Sequence, residues 1–205
     1  MAKLTKAQRD KLDRELGLRQ CSDQSLAKIM DGLEELINVT GRGIDNGTEE
    51  SPFRIFKAYL ELTKGYSENP NFHLTKTFDV ECKDVVIIKD IDFTSLCEHH
   101  AMPFFGKVHI AYIPNGKVVG LSKFARLVEG YSNRLQVQER LNQQLADAIQ
   151  NTLDPEGVMV VIEAEHTCMT LRGIKNKGAT TTTVVSRGIY SKDENKRNEI
   201  LKLIK

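Results

Sequence analysis

Thiol and imidazole side chains are concentrated in two short windows of this sequence. The first window is CEHH, residues 97–100, and the second is HTC, residues 166–168. Of the four cysteines and five histidines in the chain, five lie in these windows. Thiolate and imidazole are the ligands that zinc prefers. The clustering therefore indicates a metal site built from two segments that are 168 − 97 = 71 residues apart.

The first window favours a turn over a strand. Cys97 and His100 are three residues apart, a spacing at which two side chains can bind one ion from a turn but not from a flat strand. Pro103 follows and fits a local break in regular structure. Neighbouring side chains on an extended or gently turning backbone point to different sides. His99 and His100 are therefore not expected to bind the same ion, and the residue types leave open which one does.

The second window continues an apolar strand. Apolar residues occupy every second position from 158 to 164, so they share one face by the strand period of two. His166 and Cys168 have the same parity. If the strand stays regular through both of them, their two donor atoms point to the side of the apolar face.

Composition argues against several classes of partner. The 205 residues are 40% hydrophobic, enough to bury one sizeable core. Lys and Arg number 29 against 28 Asp and Glu, and this balance predicts no general attraction to nucleic acid or to a membrane surface. The charged N-terminus lacks the apolar core of a signal peptide, and no segment approaches the length of a membrane span. We therefore expect a cytoplasmic protein with reduced thiols.

The elements around the two windows predict an α+β fold. Ser22 or Asp23 can cap a first helix that Gly41 ends, and Ser51-Pro52 opens a second helix. A long helical stretch begins at Ser122 and is expected to break near residues 134–135, and a charged helix closes the chain. Strand patterns cover five further segments, residues 75–94, 107–113, 117–121, 157–169 and 179–190.

Short turns between adjacent strands favour an antiparallel sheet with a helix pair over alternating parallel units. N-terminal helices precede this sheet. We expect a helical appendage over residues 1–47 and a domain that carries both donor windows over residues 48–205.

Four sequence blocks carry a resemblance to a known family. CEHH (97–100), GLSK (120–123), QVQER (136–140) and HTCMTLRG (166–173) occur in this order. Together they resemble the signature segments of the zinc-dependent type of GTP cyclohydrolase I, with similarity from about Ser51 to Tyr190. The resemblance implies the tunnelling fold, assembled as a homo-oligomeric ring that is often a decamer with active sites shared between subunits.

The resemblance also implies a reaction and a metal centre. The family hydrolyses the imidazole ring of GTP, expels C8 as formate and recloses the ribose carbons into 7,8-dihydroneopterin triphosphate. Its Zn²⁺ ligands map onto Cys97, His100 and Cys168. His99 then becomes the leading candidate for proton transfer, with His166 as its partner, because imidazole titrates in the right range.

Substrate contacts follow from the same resemblance. Glu139 matches the carboxylate that accepts the N1–H and 2-amino donors of guanine, and Gln138 lies beside it. Taken alone, Glu139 could equally be an exposed helix residue that pairs with an arginine. Cations and a hydroxyl match family positions around the triphosphate or the ribose: Ser122, Lys123, Arg126, Arg172, Arg54 and Lys57. Considered singly, each of these cations is more often a solvated surface charge.

Some points stay open at the level of sequence. Glu98 suits either an orienting partner of an imidazole or a structural carboxylate. The segment ECKDVVII and the residue Thr167 depart from the family pattern without touching a mapped ligand. A zinc-stabilised binding module is a competing interpretation. A zinc nucleobase deaminase is not, because its H-x-E and P-C-x-x-C motifs are absent.

Overall fold

The computed structural model describes residues 5–16 and 21–204. The chain divides into two compact units, Met1–Ser67 and Glu68–Lys205. The expected division into residues 1–47 and 48–205 stays a prediction, and residues 1–4 and 17–20 of the expected appendage lie outside the described part.

The first unit is helical. Its described residues form α1 (Lys6–Leu16), α2 (Asp23–Val39), α3 (Ser51–Leu62) and a 3-10 turn over Lys64–Ser67. The hydroxyl of Ser22 accepts a hydrogen bond from the Ser25 N–H at 3.1 Å and so caps α2. Pro52 lies in the first turn of α3, where no intrahelical donor is needed. Both predicted helix starts are thus confirmed.

The second unit is built on a five-stranded sheet. Its strands are β2 (Val86–Cys97), β3 (Pro103–Ile113), β5 (Leu135–Gln136), β6 (Gly157–His166) and β7 (Thr180–Gly188), in the spatial order β5-β2-β3-β6-β7. All neighbours are antiparallel except the short β5, which pairs in parallel with β2. A separate antiparallel pair joins β1 (Thr77–Asp79) to β4 (Lys117–Val119), and a 3-10 turn covers Pro70–Leu74.

Helices cover both faces of this sheet. Two of them, α4 (Ser122–Ser132) and α5 (Gln138–Leu153), pack on one face with the side chains of alternate residues of β3 and β6. The break expected near residues 134–135 is confirmed, because β5 separates these helices. The intervening residues of β3 and β6 face α7 (Ile189–Lys192) and α8 (Glu194–Ile204). The α+β class, with an antiparallel sheet, a helix pair and N-terminal helices, is confirmed.

The centre of the sheet is close-packed, which fixes its register. A Cβ atom added to Gly106 on β3 would lie 1.9 Å from the carbonyl oxygen of Glu163 on β6. Only glycine allows the two strands to approach this closely. Two residues before Gly106, the pairing sets Phe104 opposite His166. The sheet register therefore decides which side chains meet at the end of β6.

No helix in residues 5–16 and 21–204 combines the length and the apolar character needed to cross a bilayer.

Candidate active site

The first window lies in the tight turn between β2 and β3. The Cys97 N–H donates to Met102 O at 2.8 Å, and the Ala101 N–H donates to Cys97 O at 2.7 Å. Ala101 adopts a positive φ of 51°. The expectation of a turn is confirmed, but the backbone bends more sharply than the extended or gently turning chain assumed for the two histidines. Their directions are set by this turn instead.

Three donor atoms from the two windows lie close together. The ligand atoms of Cys97, His100 and Cys168 are all within 4.8 Å of one another. The Cys97 Sγ atom is 3.9 Å from His100 Nδ1. Cys97 is buried, Cys168 is half-buried and His100 is exposed, so the group opens to solvent on the histidine side. These three residues could hold a metal ion.

His99 lies beside this group but outside it. Its Nδ1 atom is 3.7 Å from the Sγ atom of Cys97. The centroids of the His99 and His100 rings are 6.3 Å apart, and the planes of the two rings are inclined at 66°. Since the group that could hold a metal contains His100 and not His99, His99 is left beside the centre with an exposed ring.

His166 is held against the core at the end of β6. Its ring stacks on Phe104, with centroids 4.7 Å apart and planes within 4°. Its Nε2 atom is 2.8 Å from Oε1 of Gln138. Burial lowers the pKa of His166 below the ordinary value, since charging a desolvated imidazole is costly. The ring is therefore fixed in plane and held largely neutral near pH 7.

Cys168 reaches the site from a helix rather than from a strand. The strand ends at His166, and Cys168 lies in the single turn α6 (Thr167–Thr170). The Thr167 hydroxyl donates to Pro103 O at 2.5 Å and ties this turn to the start of β3. The prediction that both donors share the apolar face of β6 thus applies to His166 but not to Cys168, because the strand ends before Cys168.

The charge state of Cys168 depends on its surroundings. Burial raises the pKa of the Cys168 thiol, the adjacent Cys97 raises it further, and the positive charge of Arg172 opposes both effects. Two thiols this close resist ionising together unless a cation stabilises the thiolates. A bound metal ion would supply that charge.

Glu98 pairs with an arginine of the helix that follows β5. Its carboxylate accepts two hydrogen bonds from Arg140, at 2.5 and 3.2 Å. The guanidinium lowers the pKa of Glu98 below the usual range. Of the two roles considered for Glu98, the structure favours the structural carboxylate, because this pair ties the turn of residues 97–102 to α5.

A cavity of about 200 Å³ lies beside the three donors. Its wall includes both histidines of the turn, His166 and residues 136–139, which leave β5 and enter α5. Glu139 lines this cavity, and it has no ion-pair partner among the residues that the structure describes. Of the alternative, an exposed helix glutamate paired with an arginine, the exposure holds but the pairing does not, since Arg140 binds Glu98. The role of Glu139 in substrate binding stays a prediction.

The predicted phosphate-binding residues lie near the start of α4 and in the segment after α6. Ser122 and Arg126 are exposed, and Lys123 is half-buried. Arg172 lies in the exposed segment 171–178, close enough for its charge to act on Cys168. Within the described ranges no carboxylate pairs with Lys123, Arg126 or Arg172. None of these residues belongs to the described wall of the cavity.

Arg54 and Lys57 lie on α3, in the first unit. Arg54 pairs with Glu50 at 2.6 Å, and Lys57 pairs with Glu61 at 3.3 Å. Their part in a substrate site stays a prediction.

Several residues of the site were not predicted from the sequence, among them Gln136 and Val137 of the cavity wall, and two others order the site. Phe104 supplies the stacking surface for His166, and Arg140 anchors Glu98. Arg140 adjoins Glu139 in the QVQER block, which is a signal that could have been used. Phe104 gives no comparable signal, because its contact depends on the pairing between β3 and β6.

Comparison with known proteins identifies close relatives. The family model of GTP cyclohydrolase I matches residues 29–205. GTP cyclohydrolase 1 of Clostridium kluyveri is 52% identical over 179 residues, which cover 87% of this chain and 97% of that protein. GTP cyclohydrolase 1 of Clostridium perfringens is 49% identical over 86% of this chain and 96% of its own length. The protein of the same name from Desulforamulus reducens is 49% identical over 87% and 97%.

Among solved structures, the apo form of the archaeosine synthase QueF-Like superposes with a TM-score of 0.42 at 23% sequence identity. The match covers 51% of this chain and 93% of that one.

Proposed function

The chain belongs to the GTP cyclohydrolase I family, and from this premise we propose that it hydrolyses the imidazole ring of GTP at a zinc centre. The products are formate and 7,8-dihydroneopterin triphosphate. The observation that carries the proposal is the meeting of Cys97, His100 and Cys168 beside a cavity that Glu139 also lines.

The donor set fits a zinc ion. A tetrahedral zinc with bonds of about 2.3 Å to sulfur and about 2.1 Å to nitrogen separates the two donor atoms by about 3.6 Å. The Cys97 Sγ to His100 Nδ1 distance of 3.9 Å is close to that value. Two thiolates and one imidazole are also soft ligands, which bind zinc in preference to harder cations. We assign Cys97, His100 and Cys168 as the zinc ligands, because the group that could hold a metal ion joins His100, and not His99, to both thiols.

The two remaining histidines suit proton transfer. Held by Cys97, His100 and Cys168, a zinc ion would lower the pKa of water to about 7 and would so provide a nucleophile near neutral pH. Nitrogen N7 must gain a proton as C8 is attacked, or negative charge builds up on the purine. His99, beside the ligand group and exposed, is assigned to this transfer. His166, neutral and fixed against Phe104, is its proposed partner.

Glu139 is assigned to the recognition of guanine. A carboxylate can accept both the N1–H and the 2-amino hydrogens, and adenine offers neither donor in that arrangement. The position of Glu139 in the cavity wall, without a cationic partner in the described chain, supports this role. Gln138 adjoins it, but three protein acceptors lie within hydrogen-bond distance of its amide nitrogen and occupy both of its hydrogens. Any contact of Gln138 with the substrate would use the second lone pair of Oε1.

The triphosphate is assigned to the cations around α4 and α6. Lys123 and Arg126 lie in the first turns of α4, whose amide groups and dipole also favour an anion. Ser122 adds a hydroxyl, and Arg172 lies near Cys168. Arg54 and Lys57 belong to the proposal through the family resemblance alone.

We include an oligomeric ring in the proposal. The strand β7 pairs only with β6 among the described strands, so its outer edge is available to another chain. Val184 on this strand is 44% exposed, and a partner strand would cover it. A light-scattering mass near 23 kDa, the mass of one chain, with full activity would contradict the ring. Cytoplasmic location completes the proposal, because zinc-binding thiols must stay reduced and all four cysteines are free.

One experiment tests the activity and another tests the ligands. Zinc-loaded protein incubated with GTP should release formate and a pterin triphosphate, separable by chromatography. Without both products the proposed reaction fails. Cys168→Ser should lose most of the zinc, whereas Cys82→Ser, outside the donor group, should retain about one zinc per chain. Full zinc occupancy in Cys168→Ser would refute the ligand assignment.

A further inference from the structure

The side chain of Gln138 is buried and almost fully used by protein partners. It is 1% exposed at the start of α5. Its Nε2 atom lies 3.0 Å from Ile162 O, 3.0 Å from Thr181 O and 3.2 Å from Thr183 Oγ1. Its Oε1 atom lies 2.8 Å from Nε2 of His166. A single carboxamide on α5 thus binds the middle of β6, the strand β7 and the histidine at the end of β6.

These partners fix which way the carboxamide points. The carbonyl oxygens of Ile162 and Thr181 can only accept hydrogen bonds. Rotating the amide by half a turn would set Oε1 against both of them and leave buried acceptors unsatisfied, which is costly. The NH₂ group must therefore face Ile162 and Thr181, and Oε1 must face His166. A group that can only accept thus lies against the histidine ring.

The acceptor determines the tautomer of the ring. Since Oε1 has no hydrogen to give, Nε2 of His166 must carry the proton of the neutral imidazole. Within residues 5–16 and 21–204, Nδ1 of His166 has no hydrogen-bond partner. The stacked Phe104 ring removes the remaining freedom, because it holds the plane of the imidazole.

We propose that Gln138 is a positioning residue that holds His166 as the Nε2–H tautomer, so that Nδ1 is the nitrogen that exchanges protons with the substrate. The catalytic part of this inference rests on the proposed function, whereas the tautomer does not. In this proposal the main role of Gln138 is to orient His166 and not to bind guanine.

A buried amide on the same helix provides a matched control. Asn142 is fully buried, and its Nδ2 donates to the same Thr183 hydroxyl at 2.9 Å. Asn142 neither contacts His166 nor belongs to the described wall of the cavity. Asn142→Leu should therefore remove a buried amide of α5 and its hydrogen bond to β7 without affecting the ring of His166.

The spectroscopic test uses zinc-loaded wild-type protein labelled with ¹⁵N-histidine, at mildly alkaline pH where the ring is neutral. The chain has five histidines, and His166→Asn identifies the signals of His166. We expect a protonated Nε2 and an unprotonated Nδ1. A protonated Nδ1 in the wild type would overturn the proposal, whether or not the protein turns over GTP. This measurement also needs no variant of Gln138 to fold.

The kinetic test separates positioning from substrate contact. Gln138→Met should lower kcat for formate release by about 10–100-fold, as loss of a partner that orients an active-site histidine does. The KM for GTP and the zinc content should stay near those of Asn142→Leu. The His166 signals should broaden or shift in Gln138→Met and stay unchanged in Asn142→Leu. A rise in KM with unchanged kcat, or equal losses in both variants, would refute the positioning role.

Discussion

Exchanging His99 and His100 one at a time should separate metal binding from chemistry. Both imidazoles lie near the sulfur of Cys97, with Nδ1 to Sγ distances of 3.7 Å for His99 and 3.9 Å for His100. Distance to this thiol therefore does not choose between them. The second thiol does, because only His100 shares a donor group with Cys168. We expect His100→Ala to lose zinc and activity together, and His99→Ala to lose activity alone.

The size of each effect can be worked out. Structural zinc sites bind with about 10–16 kcal/mol over four ligands, which is about 2.5–4 kcal/mol for each ligand, or about 10²–10³-fold in affinity. His100→Ala should weaken zinc binding by at least that factor, since the described part of the chain supplies three ligands and the loss of one leaves two. A positioned acid or base contributes about 10²–10⁴-fold to a rate. His99→Ala should slow formate release by this factor at full zinc occupancy.

The assay combines zinc content, measured after dialysis against a graded chelator series, with single-turnover formate release. His73→Ala is the control, because His73 pairs with Glu68 at 3.5 Å and is not part of the cavity wall. It should match the wild type in both measurements. Zinc lost from His99→Ala and retained in His100→Ala would reverse the two assignments. Zinc lost equally from both would favour a binding module in which both histidines are ligands.

Three further variants test the cavity, the sheet and the buried histidine. Glu139→Gln should bind GTP at least about tenfold more weakly in calorimetry, because it replaces one acceptor with a misplaced donor. Zinc should stay bound. Unchanged affinity for GTP would show that Glu139 is a surface residue that does not contact guanine. Gly106→Ala should destabilise the fold by about 1–3 kcal/mol or more in urea, because its Cβ meets the Glu163 carbonyl oxygen at 1.9 Å; a wild-type midpoint would show that the strands can part at little cost. His109 is 4% exposed, accepts the Asp90 N–H at 3.1 Å, and has a pKa that burial lowers. The unfolded chain therefore takes up this proton first, and the free energy of unfolding should fall as pH drops below about 6.5. His109→Asn keeps an acceptor but does not titrate, so denaturation at a series of pH values should show a shallower fall, and an unchanged slope would exclude His109 as its source.

Local rules predicted the elements well. Ser22 and Pro52 mark the starts of helices, and alternate apolar residues mark β6, because caps and side-chain periods act over a few neighbouring residues. The same local rules failed at Cys168. Nothing in the alternation of HTC shows that the strand ends at His166 and that a helical turn follows. That ending depends on a contact with Pro103, which is 64 residues away.

The sequence by itself determined which chemistry was possible. Two windows rich in soft donors predicted a metal site, and the pattern of strands, short turns and helices predicted the class of fold. The resemblance carried by the four ordered blocks predicted the family. These features depend on residue type and short spacing, and both can be read directly along the chain.

Only the tertiary structure decided which of these residues contact each other, and therefore which role each one can take. The antiparallel register of β3 and β6 sets Phe104 against His166, and the orientation of α5 brings Gln138 to the same ring. The pairing of Glu98 with Arg140 likewise joins residues 42 positions apart. Contacts between distant segments depend on strand register and helix packing, which no local period encodes. The types of the metal-ligating side chains could therefore be predicted from the sequence, whereas the position of the proton on the His166 ring follows only from the fold.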